Sequence, residues 1–453
     1  MGRDPRPGAG ARAVSAVSPA RDVAAKVLAR VTRDQAFAAA ALDTEAQRAK
    51  LEPRDARLAT ELVYGVLRVE RFLLDVGARL STKGRLPDKP VARAHILIGL
   101  YSLAFLDRLP PHAVVSEAVN GVRAELGEGP SRFVNALLRT YARETEAKGR
   151  PSLTEAIAKS LPDWLRASLA RSLGAEEAER YWSAGPIPPP LAVAVADASR
   201  RDEEIERLRA SAPPGADIRA GALSPRAILL TSAGDPRKLP GFEADWIVQE
   251  EGAQALALAL GATPGATILD ACAGRGNKTW LLAKLAGESG HVIACDLHAA
   301  KLEKLTARIP NARAFAVDWT IGPGDVPADA DLVLVDAPCS GTGTMRRRPD
   351  LLRRLEEADV ARLAEKQVAI TLTAATRTKP GSTLVYAVCS VLREECEEVV
   401  EALARGSDEI ALEPIPFGDD APAPMRGERS LRLLPHVHGT DGYFLAAFRV
   451  TKR

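Results

Sequence analysis

Two cysteines in this chain are placed to do chemistry. Cys339 stands in Asp336-Ala337-Pro338-Cys339-Ser340-Gly341-Thr342-Gly343, directly after the apolar run 332–336. Cys389 stands in Tyr386-Ala387-Val388-Cys389-Ser390-Val391, at the end of the apolar run 382–388. Both runs read as buried strands, and in open α/β sheets ligands bind outside the carboxyl ends of the strands. A lone cysteine is usually a small buried hydrophobe. Flanked by Pro and Gly on a rigid turn beside Asp336, Cys339 reads instead as a functional thiol.

A third segment faces the same crevice. Asp270-Ala271-Cys272-Ala273-Gly274-Arg275-Gly276-Asn277-Lys278-Thr279 follows a predicted strand and opens a predicted helix. Glycines let the backbone approach a ligand, and a helix start offers unpaired N–H groups. Asp296 ends the next strand, where a carboxylate suits two ribose hydroxyls. Asp318 closes the third predicted strand and suits an adenine amino group or a turn equally. Together these features indicate a nucleoside-containing cofactor. The segment fits neither G-x-G-x-x-G nor G-x-x-x-x-G-K-[ST]. Arg346, Arg347 and Arg348, with Arg353 and Arg354, form a basic run beside Cys339. Arginines so placed grip phosphates and position a nucleic acid without reading its sequence. Cys272, Cys295 and Cys396 read as structural, Cys396 on an amphipathic helix, and no metal-ligand cluster is read.

The elements that must position these residues follow from periodicity. Strands over 267–270, 291–296, 312–318, 332–336 and 382–388 alternate with helices over 254–260, 278–285, 299–307 and 353–376, which predicts a parallel sheet with helices on both faces. Residues 19–145 carry apolar residues at helical spacing and predict an all-α domain of six or seven helices. Residues 146–185 read as a helical linker, with Pro162 opening a short helix. The run Pro186-Ile187-Pro188-Pro189-Pro190 is the clearest boundary. Residues 186–245 show a β-α-β type of pattern in a small α+β unit, and 246–453 form the α/β unit. The Gly-, Pro- and Arg-rich stretch 1–18 reads as a disordered tail.

Composition excludes several classes. The 453 residues are 46% hydrophobic and 26% charged, ordinary for a globular protein. No apolar run is long enough for a membrane helix. Five scattered cysteines do not make a disulfide framework, and the N-terminus lacks a secretory pattern, so the expectation is a cytoplasmic protein. Residues 1–150 carry 25 Lys+Arg against 17 Asp+Glu, and the remainder carries 36 against 42. A basic N-terminal third is compatible with a polyanionic partner.

These motifs together resemble the RsmB/NOL/Sun family of RNA 5-methylcytosine methyltransferases. The resemblance joins the DAPCSGTG segment, the cysteine of YAVCS, and the late Leu433-Leu434-Pro435 with Asp441-Gly442-Tyr443-Phe444. The segments Leu62–Arg68 and Phe133–Arg139 resemble the NusB-like RNA-binding helical domain. The resemblance implies a Rossmann-like methyltransferase domain, an RRM-like middle domain, S-adenosylmethionine as cofactor and small-subunit (16S) ribosomal RNA as substrate, with a monomer as the default. It assigns Cys272, Ala273, Gly274, Arg275, Gly276, Asn277 and Lys278 to the cofactor's methionine and ribose region, Asp296 to its ribose and Asp318 to its adenine. It makes Cys389 the nucleophile, Cys339 the aid to product release, and Asp336 a contact both to the target base and to the cofactor. Cytosine C5 is too poor a nucleophile to take a methyl group unaided, and thiolate addition at C6 activates it. The family pattern AAPGGKT reads Ala273-Gly274-Arg275-Gly276-Asn277-Lys278-Thr279 here. Asn277 is the non-glycine residue that best accepts positive φ, which would preserve the turn. The rival expectation is a non-catalytic rRNA-binding factor with a degenerate cofactor turn.

Overall fold

The computed structural model describes residues 17–185 and 188–452. The tail reading therefore falls almost wholly outside the described residues, as do Pro186 and Ile187 of the boundary run. The chain divides into two compact units. Residues up to Pro162, together with Arg348–Arg353, make one; Asp163–Arg347 and Arg354 onward make the other.

The first unit is all-α. Its helices are Pro19–Arg33 (α1), Ala38–Arg48 (α2), Pro53–Arg68 (α3), Glu70–Leu80 (α4), Pro90–Phe105 (α5), Pro111–Leu126 (α6), Glu128–Lys148 (α7) and Leu153–Ser160 (α8). Proline occupies the first turn of α1, α3, α5 and α6, where its missing N–H costs nothing. Helix α5 is apolar on nearly every side and runs buried through the unit. The 3₁₀ turn Pro349–Arg353 belongs to this unit: Asp350 accepts from the Ala38 amide, Arg353 pairs with Glu70, and Arg348 lies 5.8 Å over the Phe37 ring.

The second unit opens with Asp163–Leu173 (α9) and Ala175–Ser183 (α10). A small sheet follows: Leu191–Val195 (β1), helix Arg201–Ser211 (α11), Asp217–Ala220 (β2), Ala227–Thr231 (β3) and Trp246–Val248 (β4), in the order β2-β3-β1-β4. Every pairing in it is antiparallel, and β4 lies at 246–248, beyond the expected end of this unit at residue 245. The connection from β3 to β4 holds only the 3₁₀ turn Pro236–Lys238, because Gly234, Pro236, Pro240 and Gly241 punctuate it too closely for a helix.

Helix Glu251–Leu258 (α12) leads to the main sheet. Its parts are Thr267–Asp270 (β5), Asn277–Ala286 (α13), His291–Asp296 (β6), Ala299–Arg308 (α14), Ala312–Ala316 (β7), Ala330–Asp336 (β8), Glu357–Ala375 (α15), Thr378–Val388 (β9), Glu397–Arg405 (α16), Ile410–Pro414 (β10), Ser430–Leu433 (β11), the short helix Pro435–His438 (α17) and Tyr443–Lys452 (β12). The order is β10-β12-β9-β8-β5-β6-β7, with β11 on β12. Strands β5 to β9 are parallel; β12 is antiparallel to β9, β10 and β11. The sheet is thus mixed rather than wholly parallel. Alternate residues feed two cores. Ile268, Val292, Leu334 and Val385 pack with Leu281 and Leu302 on one face; Leu269, Ile293, Val333 and Leu384 pack with Ile370 and Leu403 on the other.

Several boundaries differ from expectation: β8 and β9 begin two and four residues earlier, and α12 runs 251–258 rather than 254–260. Strand β7 stops at Ala316, so Asp318 lies in the following turn. Helix α15 starts at Glu357 rather than at residue 353, because Glu356 and Asp359 form a capping box there.

Candidate active site

The carboxyl ends of β8 and β9 are adjacent, and this brings the two cysteines together. Asp336 and Ala387 are register partners, and the Ala337 amide donates to the Ala387 carbonyl. The Cys339 and Cys389 sulfurs lie 3.3 Å apart, both half-buried, whereas Cys295 and Cys396 are fully buried. A hydrogen bond to Cys389, reinforced by burial, pushes the Cys339 thiol well above its ordinary range.

Lys278, from the first turn of α13, pairs with Asp336. Burial alone would lower the lysine, but Asp336, with Asp270 and Cys389 adding, outweighs it and holds the ammonium above its usual value. Lys278 thus places an ammonium close enough to interact with Cys389.

The turn after β5 is built by glycine geometry. Gly274 and Gly276 have φ of 58° and 81°, the left-handed region, and Gly276 is the N-cap of α13. Asn277 does not share that conformation. It is the first residue of the helix, so the expectation that it accepts positive φ is corrected: the two positions that need it are still glycine. Asn277 instead ties the turn down. Its Nδ2 donates to the Val248 carbonyl at 3.3 Å, and Arg308 donates to its Oδ1 and to the Arg275 carbonyl.

Asp296 accepts from the Gly274 and His298 amides at 3.0 and 2.8 Å and from Lys301. Asp270 is buried beneath the turn. Its Oδ2 accepts from the Thr279 hydroxyl at 2.7 Å, while its Oδ1 has no partner, and burial raises its carboxyl to about 6. An orphaned buried carboxylate oxygen, two left-handed glycines and the open helix start suit S-adenosylmethionine, which carries an ammonium and a carboxylate.

Residues 257–449 match the family model described as 16S rRNA methyltransferase RsmB/F, and residues 18–143 match the NusB family. A protein of Synechocystis sp. named probable ribosomal RNA small subunit methyltransferase B is 32% identical over 445 residues, covering 94% of this chain and 98% of that one. The ribosomal RNA small subunit methyltransferase B of Pseudomonas syringae pv. tomato is 32% identical over 438 residues, covering 94% and 96%. The chain belongs to the RsmB family. It is an S-adenosylmethionine-dependent methyltransferase. The crystal structure of PH0851, at 22% identity, shares the fold with a TM-score of 0.77 over 95% of this chain and 99% of that one.

The remaining expected residues of this RsmB-family chain have separate surroundings. Asp318 accepts from the Thr320 amide and hydroxyl, a turn-forming arrangement that pulls its carboxyl down. Arg346 and Arg347 both bind Asp441, at 2.6 and 2.9 Å; Asp441 is 4% and Arg346 7% exposed at the side chain. Arg348 is exposed and belongs to the helical unit. Three consecutive arginines thus have two different settings. Cys396 is the residue before α16 rather than a member of it, and burial raises its thiol well above the usual range.

Sequence reasoning missed several site residues. Asp441 anchors both arginines, and its own amide donates to Glu250 at 3.0 Å. Burial, with Asp441 nearby, raises the Glu250 carboxyl. Tyr181 donates to the Thr342 carbonyl from α10. Glu395 is fully buried behind the cysteines. The signal was faint: Glu394 and Glu395 look like ordinary acids at a helix start.

Proposed function

We propose that this protein methylates C5 of a cytosine in small-subunit (16S) ribosomal RNA. The observation that carries the reading is the 3.3 Å approach of the Cys339 and Cys389 sulfurs beside the Lys278–Asp336 pair. When bound, S-adenosylmethionine supplies an electrophilic methyl group. The turn 272–278 and Asp296 would hold it, and Asp318 would serve its adenine.

The protein's own residues do the rest. Cys389, as thiolate beside Lys278, adds to C6 of the cytosine and makes C5 an enamine carbon. Asp336 contacts the base and stabilises the charge pushed into the ring. Once C5 is alkylated, its proton passes to solvent water, the C5–H electron pair restores the C5–C6 double bond, and the C6–sulfur pair returns to Cys389 as thiolate, with Cys339 assisting that release as hydrogen-bond donor. A base stacked in a helix cannot reach Cys389, so the target is single-stranded or flipped out.

Domain roles follow. Residues 19–145 bind RNA as a NusB-like domain, the small sheet over 191–248 is the RRM-like unit, and the α/β part from 251 onward carries the chemistry. Phosphate contact in the 346–348 run falls best on exposed Arg348, with Arg346 and Arg347 acting through Asp441. The working state is a cytoplasmic monomer. The intact positions of Gly274 and Gly276 speak against a non-catalytic factor with a degenerate turn.

Two variants test the reading. Cys389→Ala should abolish methyl transfer with S-adenosylmethionine binding retained. Cys339→Ala should accumulate a covalent protein–RNA adduct on a denaturing gel. Full turnover in Cys389→Ala, or no adduct with cognate RNA in Cys339→Ala, would sink the mechanism.

A further inference from the structure

Behind the two cysteines lies a buried carboxylate that the mechanism above does not use. Glu395 is fully buried on the 3₁₀ turn that follows the Cys389 loop. Its Oε1 accepts from the Ser340 amide at 2.7 Å and from Gln367 Nε2 at 3.0 Å; its Oε2 accepts from the Ser340 hydroxyl. Ser340 is the residue after Cys339, so Glu395 grips one cysteine loop from the end of the other.

Its surroundings fix it from several sides. Gln367 also donates to the Pro338 carbonyl, and Tyr386 donates to both Gln367 Oε1 and the Glu395 carbonyl. Ser340, Thr342 and Ser390 form a hydroxyl triangle with sides of 3.1 to 3.3 Å. Among the described residues, these hydrogen-bond partners of the Glu395 carboxylate are all uncharged. An acid buried with no counter-cation is costly. Glutamine would make most of the same bonds, so the charge calls for a reason.

We propose that Glu395 is a positioning residue for methyl transfer: it locks the Cys339 loop against the Cys389 loop and makes the two sulfurs chemically unequal. The inference rests on the functional reading above. Two thiols in contact must divide their labour, one as thiolate and one as hydrogen-bond donor. The negative Glu395 lies on the Cys339 side, where after the Cys389 hydrogen bond and burial it adds to the forces keeping that thiol protonated. The cationic Lys278 interacts with Cys389. Asp336 acts on both, through Lys278 and directly on Cys339.

The test is site-resolved alkylation of the full-length protein with iodoacetamide, read by mass spectrometry across a pH series, in wild type and Glu395→Gln. Wild type should be alkylated first at Cys389. In Glu395→Gln the Cys389-to-Cys339 rate ratio should fall by about tenfold. Its kcat for methyl transfer should fall ~10–100-fold, the scale on which outer hydrogen-bond partners tune a site. The KM for RNA and the Kd for S-adenosylmethionine should hold within about twofold, since their contacts are untouched. An unchanged ratio with unchanged kcat would overturn the proposal. Ser340→Ala gives an independent check should Glu395→Gln fold poorly. It removes one donor but leaves the charge, so Cys389 should keep its priority while kcat drops; loss of that priority would overturn the charge argument. The alkylation readout needs no RNA. A wild-type protein inactive on RNA would count against the functional reading, while the alkylation ratio would still decide the role of Glu395.

Discussion

Gly343→Ala is the perturbation for which the structure yields the clearest magnitude. Gly343 lies in the Cys339 loop and meets Gly442 at the start of β12. The Gly343 amide donates to the Cys389 carbonyl at 3.0 Å, and the Gly442 amide donates to the Gly343 carbonyl at 2.8 Å. A Cβ on Gly343 would stand 1.9 Å from the Gly442 carbonyl oxygen and 2.9 Å from that of Cys389. Both obstacles are backbone, so no side chain can swing away. Cβ contacts essentially never fall below 3.0 Å, so the Cys339 loop and the Gly442 backbone must part by at least 1.1 Å. That displacement is a third of the present separation between the sulfurs. A misplacement of about 1 Å costs on the order of 10²-fold in rate, and forcing a methyl group into a packed site costs ~1–3 kcal/mol. Gly343→Ala should therefore lower kcat for methyl transfer about 100-fold and lower the thermal midpoint. The binding of S-adenosylmethionine, measured by calorimetry, should stay near wild type, because the turn 272–278 lies on other strands. Wild-type turnover with a wild-type melting temperature would refute the reasoning.

Three further outcomes are expected. Asp441→Asn leaves two guanidinium groups without their shared carboxylate and should cost ~3–5 kcal/mol, the range for breaking a buried ion pair; thermal unfolding measures it, and a shift under about a degree would contradict the pairing. Lys278→Met strands Asp336, and because the pair is about a fifth exposed the loss should sit near ~3 kcal/mol. The same variant should slow Cys389 alkylation at neutral pH; unchanged alkylation would remove Lys278 from the thiolate's surroundings. Asp270 has its folded carboxyl raised from 3.8 to about 6. The folded state then binds more protons than the unfolded chain between about pH 4 and 6, so this group makes stability fall as pH rises through that window. A two-unit shift is worth about 3 kcal/mol. Asp270→Asn should gain roughly that much on wild type between pH 4 and pH 7 in denaturant titrations, and parallel stability curves would refute it.

What the residue pattern revealed, and what it hid, divides along sequence distance. The strand-end placement of Cys339 and Cys389 was legible because an apolar run followed by a Pro- or Gly-containing turn is a local signal. The glycine turn that opens α13 was legible for the same reason, down to Gly274 and Gly276. Asn277 was misjudged because one residue decides whether a position is the last of a turn or the first of a helix. The middle unit was legible as a mix of helix and strand, but a local pattern does not say which sheet a short strand joins, so β4 at 246–248 was assigned to the α/β unit. Arg346 and Arg347 looked like phosphate ligands because Asp441 lies about ninety residues away. Glu395 resembled a helix-start acid because its contacts to Ser340 and Gln367 exist only after β8, α15 and β9 have packed. Local chemistry was readable; the partners that constrain it were tertiary.

The central claim is the reaction itself. Its most direct test is methyl transfer from labelled S-adenosylmethionine to unmodified small-subunit rRNA, as free RNA and as immature subunits, with nucleoside analysis of the product. The account predicts label in 5-methylcytidine from the wild-type protein and none from Cys389→Ala. Label in any other nucleoside, or none from wild type on either substrate, would contradict it.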